Sequence, residues 1–154
     1  MVKHIHRTAP AVRVLVVDDF EPFRRFVCNM LGKMPGLQIV GEVSDGLEAV
    51  RKAEELQPDL ILLDVGLPAL NGIEAARQIR IVAPQSTIIF VTQESDRELV
   101  REGLSLGAKG WVVKTMVASD LIAAVDAALD GEQFVSSGLK AQEFTTQAAA
   151  TLSD

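Results

Sequence analysis

Asp18, Asp19, Asp64, Thr92 and Lys114 are the residues whose types and positions could do chemistry together. Each closes a short apolar run: Val14-Leu15-Val16-Val17 before Asp18-Asp19, Leu60-Ile61-Leu62-Leu63 before Asp64, Ile88-Ile89-Phe90-Val91 before Thr92, and Trp111-Val112-Val113 before Lys114. Such runs, bounded by breakers, read as strands buried on both faces. Taken alone, Asp64 reads equally well as a strand-ending turn former or as a functional group. Taken together, three carboxylates in one cleft would repel one another and need compensation. Lys114 offsets one charge, and a divalent cation would offset the rest. An all-oxygen donor set suits Mg2+, and the lack of His or Cys in it argues against zinc. In such a site Asp64 could serve as a nucleophile toward a phosphoryl group. The metal, Lys114 and the Thr92 hydroxyl would then stabilise charge on the transferred oxygens. Gly66 would let the backbone approach the metal closely.

The elements that must position these residues alternate. Strands are expected over 13–17, 37–43, 60–63, 87–91 and 110–113. A helix opens near Pro22, a residue suited to the first helical turn, and stops at Pro35-Gly36. Its expected inner face is Phe23, Phe26, Val27, Met30 and Leu31. Further helices are expected over about 46–56, 72–82, 96–106 and 118–129. Asp45 would cap the second helix, which carries Leu47, Val50, Ala53 and Glu54 at helical spacing. The fourth is the weakest, because it contains Gly103 and ends at Gly107. Strand and helix alternating five times predicts an α/β fold with a parallel sheet and right-handed crossovers. If the second strand is the outer edge, in the order 2-1-3-4-5, the other four strand ends are neighbours. Their residues then share one cleft where the strand order reverses.

The totals bound the alternatives. The chain has 154 residues, enough for one domain with a full core. Residues 1–11 read as a flexible arm, 12–130 as the domain, and 131–154 as a linker or tail, with a turn or two of helix near Ala148. The arm lacks the apolar core of a signal peptide, and its His4 and His6 read as polar terminus rather than metal ligands. No apolar run approaches the length of a membrane span. The single cysteine, Cys28, excludes an internal disulfide, reads as a packing residue and fits a reducing cytoplasm. A formal net charge of −6 argues against this chain alone gripping nucleic acid.

In combination, Val16-Val17-Asp18-Asp19, Leu63-Asp64-Val65-Gly66-Leu67-Pro68 with Asn71-Gly72, Val91-Thr92 and Gly110-Trp111-Val112-Val113-Lys114 resemble the receiver domain of two-component response regulators. The resemblance covers about residues 13–129. It implies a flavodoxin-like (βα)5 three-layer sandwich and a phosphoacceptor role for Asp64 toward the phosphohistidine of a sensor histidine kinase. It implies Mg2+ held by Asp19, Asp64 and the Gly66 carbonyl, with Asp18 acting mainly through water. Lys114 would pair with a phosphoryl oxygen, Thr92 would swing toward it, and Trp111 would occupy the position of the aromatic switch. A homodimer is compatible with the family. Within it, Asn71-Gly72-Ile73-Glu74-Ala75-Ala76-Arg77, Gly107-Ala108-Lys109-Gly110-Trp111 and Gly131-Glu132-Gln133-Phe134-Val135-Ser136 resemble NarL/LuxR-type transcriptional regulators. Those proteins continue into a helix-turn-helix domain. About twenty residues remain here, so this chain by itself is not expected to bind DNA.

The sequence also departs from the family pattern. Gln93 stands where a small residue is usual and could narrow access to Asp64. Gly66 and Glu94 occupy the positions that tune dephosphorylation. Thr115 replaces a common proline, so the 114–115 peptide is expected to be trans. Three rivals are weighed. A phosphatase of the haloacid dehalogenase type needs an Asp-x-Asp pair, whereas Asp18 and Asp19 are adjacent. A flavin carrier needs a first loop that cradles phosphate, which Asp18, Asp19 and Glu21 would repel. A pseudo-receiver acting only as a docking surface would suit Gln93.

Overall fold

The computed structural model describes residues 11–137 and Leu139. The N-terminal histidines and the helix expected near Ala148 lie outside them. The chain runs β1 (Val12–Val17), α1 (Glu21–Gly32), β2 (Leu37–Val43), α2 (Gly46–Leu56), β3 (Leu60–Leu63), α3 (Gly72–Val82), β4 (Thr87–Thr92), α4 (Arg97–Ser105) and β5 (Gly110–Val113). A 3-10 turn (Lys114–Met116) then leads into α5 (Val117–Leu129), and β6 (Phe134–Val135) follows. All strands pair in parallel, in the order β2-β1-β3-β4-β5-β6. The first five hold the expected order, and among the described residues no helix is long and apolar enough to cross a membrane.

Strand alternation divides the apolar residues between two cores. Leu15, Val17, Ile61, Leu63, Phe90 and Trp111 face α2, α3 and α4, meeting Ala49, Ala53, Ala76, Ile79 and Val100. Val14, Val16, Leu60, Leu62, Val91 and Val112 face α1 and α5, meeting Val27, Leu31, Leu121 and Val125. β3 is buried at every position because helices cover both faces. Side-chain caps start the helices where the sequence places them. Asp45 accepts from Glu48 N–H at 2.8 Å, Asn71 from Glu74 N–H at 3.0 Å, and Asp96 from Leu99 N–H at 3.2 Å.

Three residues of the expected helical spacings point out, the exposed Glu54 among them. Phe26 is 44% exposed and Leu47 is 54% exposed. On α2 the packed face is carried by Ala49 and Ala53, small residues that let the helix lie close to its neighbours, so the largest apolar residue did not mark it. Cys28 is half-buried, as a packing residue would be. Burial and the nearby Glu42 carboxylate push its thiol up to about 11.

A short sixth strand lies within the residues read as linker or tail. Phe134 N–H donates to the Lys109 carbonyl and Ser136 N–H to the Trp111 carbonyl, each at 3.0 Å. The Ser136 hydroxyl then accepts from Val113 N–H at 3.1 Å, extending the ladder by one side-chain bond. Val135, Ser136 and Leu139 are buried. The strand answers a physical need, since β5 would otherwise leave a row of unpaired backbone groups at the sheet edge. Ser136→Ala leaves Val113 N–H unsatisfied beside Lys114, and is expected to lower the unfolding free energy by about 1–3 kcal/mol in urea titration. Ser136→Thr, which restores a hydroxyl, is expected to recover most of it.

Candidate functional site: an acidic cleft at the carboxyl edge of the sheet

Parallel strands place their carboxyl ends side by side. β1 and β3 pair with Val17 opposite Leu63, so Asp18 and Asp64, one residue further on, come together. Asp64 N–H donates to the Val17 carbonyl at 3.2 Å, fixing that approach. β4 and β5 pair with Thr92 opposite Val113, which delivers Lys114 to the same edge. Behind Asp64 the first turn of α3 packs directly on the β3 backbone. A Cβ on Gly72 would stand 2.0 Å from the Asp64 carbonyl oxygen, so only glycine allows that contact.

Lys114 organises the cleft. Its Nζ lies 2.8 Å from Asp18 Oδ2 and 3.0 Å from Asp64 Oδ2, and stands 4.5 Å from the centroid of the Phe23 ring. Asp18 is buried, and its Oδ1 accepts from Phe20 N–H at 2.9 Å. Arg24 donates to the Asp18 carbonyl at 2.7 Å and is ion-paired with Glu42, which steadies the start of α1 against β2. Asp64 is buried to 5% exposure, and Gly66 N–H stands 3.4 Å from its Oδ1. Asp19 is exposed at the cleft. The opening has a volume of about 530 Å³, with Asp19, Asp64, Gly66, Thr92 and Lys114 on its walls. Phe20 and Phe23 form an apolar lip, and Gln93 and Glu94 stand at the mouth, both exposed.

Burial pushes the Asp18 carboxyl above its ordinary 3.8, although the Lys114 ammonium and the Phe20 amide pull the other way. Burial would lower Lys114, but its hydrogen bonds to Asp18 and Asp64 outweigh that and hold its ammonium above 10.5. One lysine therefore serves two buried carboxylates, with Asp19 beside them.

The donor set fits a hard dication. Carboxylate oxygens of Asp18, Asp19 and Asp64 lie within 4.8 Å of one another. Three carboxylates against one ammonium leave negative charge that an oxygen-seeking dication would offset. Asp18 already uses both oxygens, so Asp19 and Asp64 are the carboxylates that line the open cleft, with Gly66 beside them.

Thr92 is fully buried, and Glu94 N–H approaches its Oγ1 at 3.4 Å. Trp111 is fully buried too. Its ring packs on Phe90 with centroids 5.0 Å apart, and its Nε1–H donates to the Glu94 carbonyl at 2.9 Å. Among the described residues no peptide bond is cis, 114–115 included, as Thr115 led us to expect. Asp19, Asp64, Gly66, Thr92, Gln93, Glu94 and Lys114 thus line one opening, with Asp18 bonded to Lys114 and Trp111 bonded to the Glu94 carbonyl behind it. Missing from the reading of the sequence were Phe23 under the ammonium, Arg24 behind Asp18, and Gly72 against Asp64. Phe23 left a signal, as an aromatic in the first turn after the acidic pair, and Gly72 stood in the Asn71-Gly72 motif.

The sequence and the fold match known proteins in the same way. Residues 14–126 match the model of the response regulator receiver domain. The chain is 38% identical over 121 residues to the transcriptional regulatory protein LiaR of Bacillus subtilis, covering 79% of this chain and 57% of that protein. It is 34% identical over 126 residues to the nitrate/nitrite response regulator protein NarL of Escherichia coli, covering 82% of this chain and 58% of that protein. The chain thus spans a little over half the length of these relatives. Among solved structures, a LuxR-family two-component response regulator from Aurantimonas sp. superimposes with a TM-score of 0.83 at 30% identity, covering 90% of this chain and 99% of that one. The response regulator domain of Thermotoga maritima CheB gives 0.70 at 35% identity, over 78% and 97% of the two chains. The acidic pair after β1, the aspartate after β3, the hydroxyl closing β4 and the lysine after β5 thus stand on a matching sheet in a matching sequence, and the chain belongs to the response regulator receiver domains, with NarL/LuxR-type regulators as its relatives.

Proposed function

We propose that Asp64 accepts a phosphoryl group from the phosphohistidine of a sensor histidine kinase, and that the resulting change controls an output, transcription in the whole protein. A carboxylate oxygen of Asp64 attacks phosphorus, the phosphorus–nitrogen bond breaks, and the imidazole leaves with its electron pair. The observation that carries this is Lys114 Nζ at 3.0 Å from Asp64 Oδ2, in an open cleft shared with Asp19 and Gly66. The ammonium holds Oδ2 and leaves Oδ1 to react. It also supplies positive charge where phosphoryl oxygens would sit. Mg2+, held by Asp19, Asp64 and the Gly66 carbonyl with Asp18 behind them, would neutralise charge on the phosphoryl group. Thr92 would turn its hydroxyl to a phosphoryl oxygen, and Trp111, already buried against Phe90, would be favoured in that inward position. Glu94 and Gly66 would set how fast water reaches the acyl phosphate, a self-directed reaction rather than turnover of a substrate. This reading places the domain in the cytoplasm, beside its kinase, and allows a homodimer.

A second reading keeps the fold as a docking module that takes no phosphoryl group, and the side chain of Gln93 at the cleft mouth favours it. Intact-mass measurement after incubation with acetyl phosphate separates the two. The receiver reading expects one phosphoryl increment with Mg2+ and none with EDTA. An unchanged mass with Mg2+, from acetyl phosphate and kinase alike, would leave the docking module.

A further inference from the structure

Gly103 is buried in the last turn of α4. A Cβ built there would stand 2.7 Å from Cζ3 and 3.2 Å from Cε3 of Trp111, and 3.0 Å from Cε2 of Phe90. Non-bonded carbons settle at about 3.5–4.0 Å. Neither ring has room to retreat, since both are fully buried and packed on each other. Trp111 is held by its ring and by its backbone. Its Nε1–H is bonded to the Glu94 carbonyl, and the Trp111 backbone carbonyl accepts from Ser136 N–H at 3.0 Å. A glycine inside a helix weakens that helix, yet α4 carries one opposite the largest side chain of the core.

We propose that Gly103 is a positioning residue: it is the notch in α4 that seats the Trp111 indole inward, and through the Trp111–Glu94 hydrogen bond it holds the β4–α4 loop, with Gln93 and Glu94, at the mouth of the Asp64 cleft. Closing the notch drives the indole out of its seat and lets go of the loop. The packing claim stands on the geometry alone. Its meaning for phosphorylation rests on the reading of Asp64 as phosphoacceptor.

The test uses Gly103→Ala in the full chain. The protein has one tryptophan and no tyrosine, so its intrinsic emission reports Trp111. Gly103→Ala is expected to shift that emission to the red and to raise acrylamide quenching several-fold. Backbone amides of residues 93–96 are expected to exchange faster with deuterium. A smaller ring at position 111 should remove the closest contact and give the Phe90 ring packed on it room to shift. Gly103→Ala is therefore expected to lower Tm by several degrees in the wild-type background and by about one degree or less on top of Trp111→Phe. Parent-like emission and quenching, or equal Tm losses in both backgrounds, would overturn the notch. Shifted emission with unchanged exchange at 93–96 would overturn the hold on the loop. Should Gly103→Ala alone fail to fold, a double variant that folds like Trp111→Phe supports the notch, and one that also fails to fold overturns it. None of these readouts needs Asp64 to be phosphorylated, so failure of the phosphoacceptor reading would leave them standing.

Discussion

Asp64→Asn is expected to fold as the wild type does and to gain no phosphoryl group from acetyl phosphate with Mg2+ by intact-mass measurement. The substitution keeps shape and volume. The side-chain oxygen can still accept from Lys114, which in the wild type lies 3.0 Å away. What disappears is the nucleophile, because an amide oxygen lacks the charge and electron density that attack phosphorus. The loss is expected to be complete, since no other carboxylate replaces Asp64. Asp18 is buried behind it, with both oxygens engaged by Lys114 and Phe20 N–H. Asp19 is exposed but has no hydrogen bond from the lysine. Stability is expected to hold or rise, because one of three neighbouring carboxylates has lost its charge. A phosphoryl increment persisting in Asp64→Asn would move the acceptor elsewhere, with Asp19 the first place to look.

The features legible in the sequence were those set by local chemistry. Leu60-Ile61-Leu62-Leu63 can hardly be anything but a strand covered on both sides, and Asp64 falls at its end wherever that strand lies. Asp45, Asn71 and Asp96 announce helix starts because each side chain satisfies an amide three residues on. Once the strand order was supposed, the meeting of Asp18, Asp64 and Lys114 followed from parallel register. The inner faces of helices were less legible. Leu47 is the larger apolar residue of α2, but close packing selected Ala49 and Ala53. β6 has two residues and no pattern of its own. It exists because β5 presents an open edge and Ser136 can continue the ladder with a hydroxyl. The Gly103 notch is a relation between two residues eight apart in the chain that meet through tertiary packing, so spacing alone reads Gly103 as a weakness in α4.

Lys114→Met is expected to separate the structural and chemical duties of the lysine. Methionine keeps an unbranched chain that can still lie against Phe23, and it removes the charge. Asp18 and Asp64 side chains are then left 4% and 7% exposed without their common partner. Removing one partner from a buried ion pair costs about 3–5 kcal/mol, and the open cleft puts this site at about 3 kcal/mol in EDTA at neutral pH. The pH dependence follows from the direction of each shift. In the wild type the raised Lys114 stabilises the fold fully below its ordinary 10.5, and that contribution fades as pH rises through its higher folded value. The variant has no such alkaline loss. Its weakness lies with Asp18, which burial already pushes above 3.8 and which now lacks the lysine that opposed the shift. A raised carboxyl disfavours the folded state once ionised, so the variant regains stability as pH falls toward 3.8. Mg2+ should help it more than the wild type, because the cation replaces the missing positive charge; a ligand at one hundred times its Kd adds about 2.7 kcal/mol. Phosphorylation should not recover with it. A lost donor to the transferring group slows such steps by about 10²–10³-fold, and a saturating metal does not restore a hydrogen bond from the opposite wall. Urea titrations at pH 5 and 7.5, with EDTA and with Mg2+, alongside the rate of mass gain from acetyl phosphate, measure both halves. Equal stability of variant and wild type in EDTA at pH 7.5 would mean that water in the cleft, rather than Lys114, is what keeps the two carboxylates together.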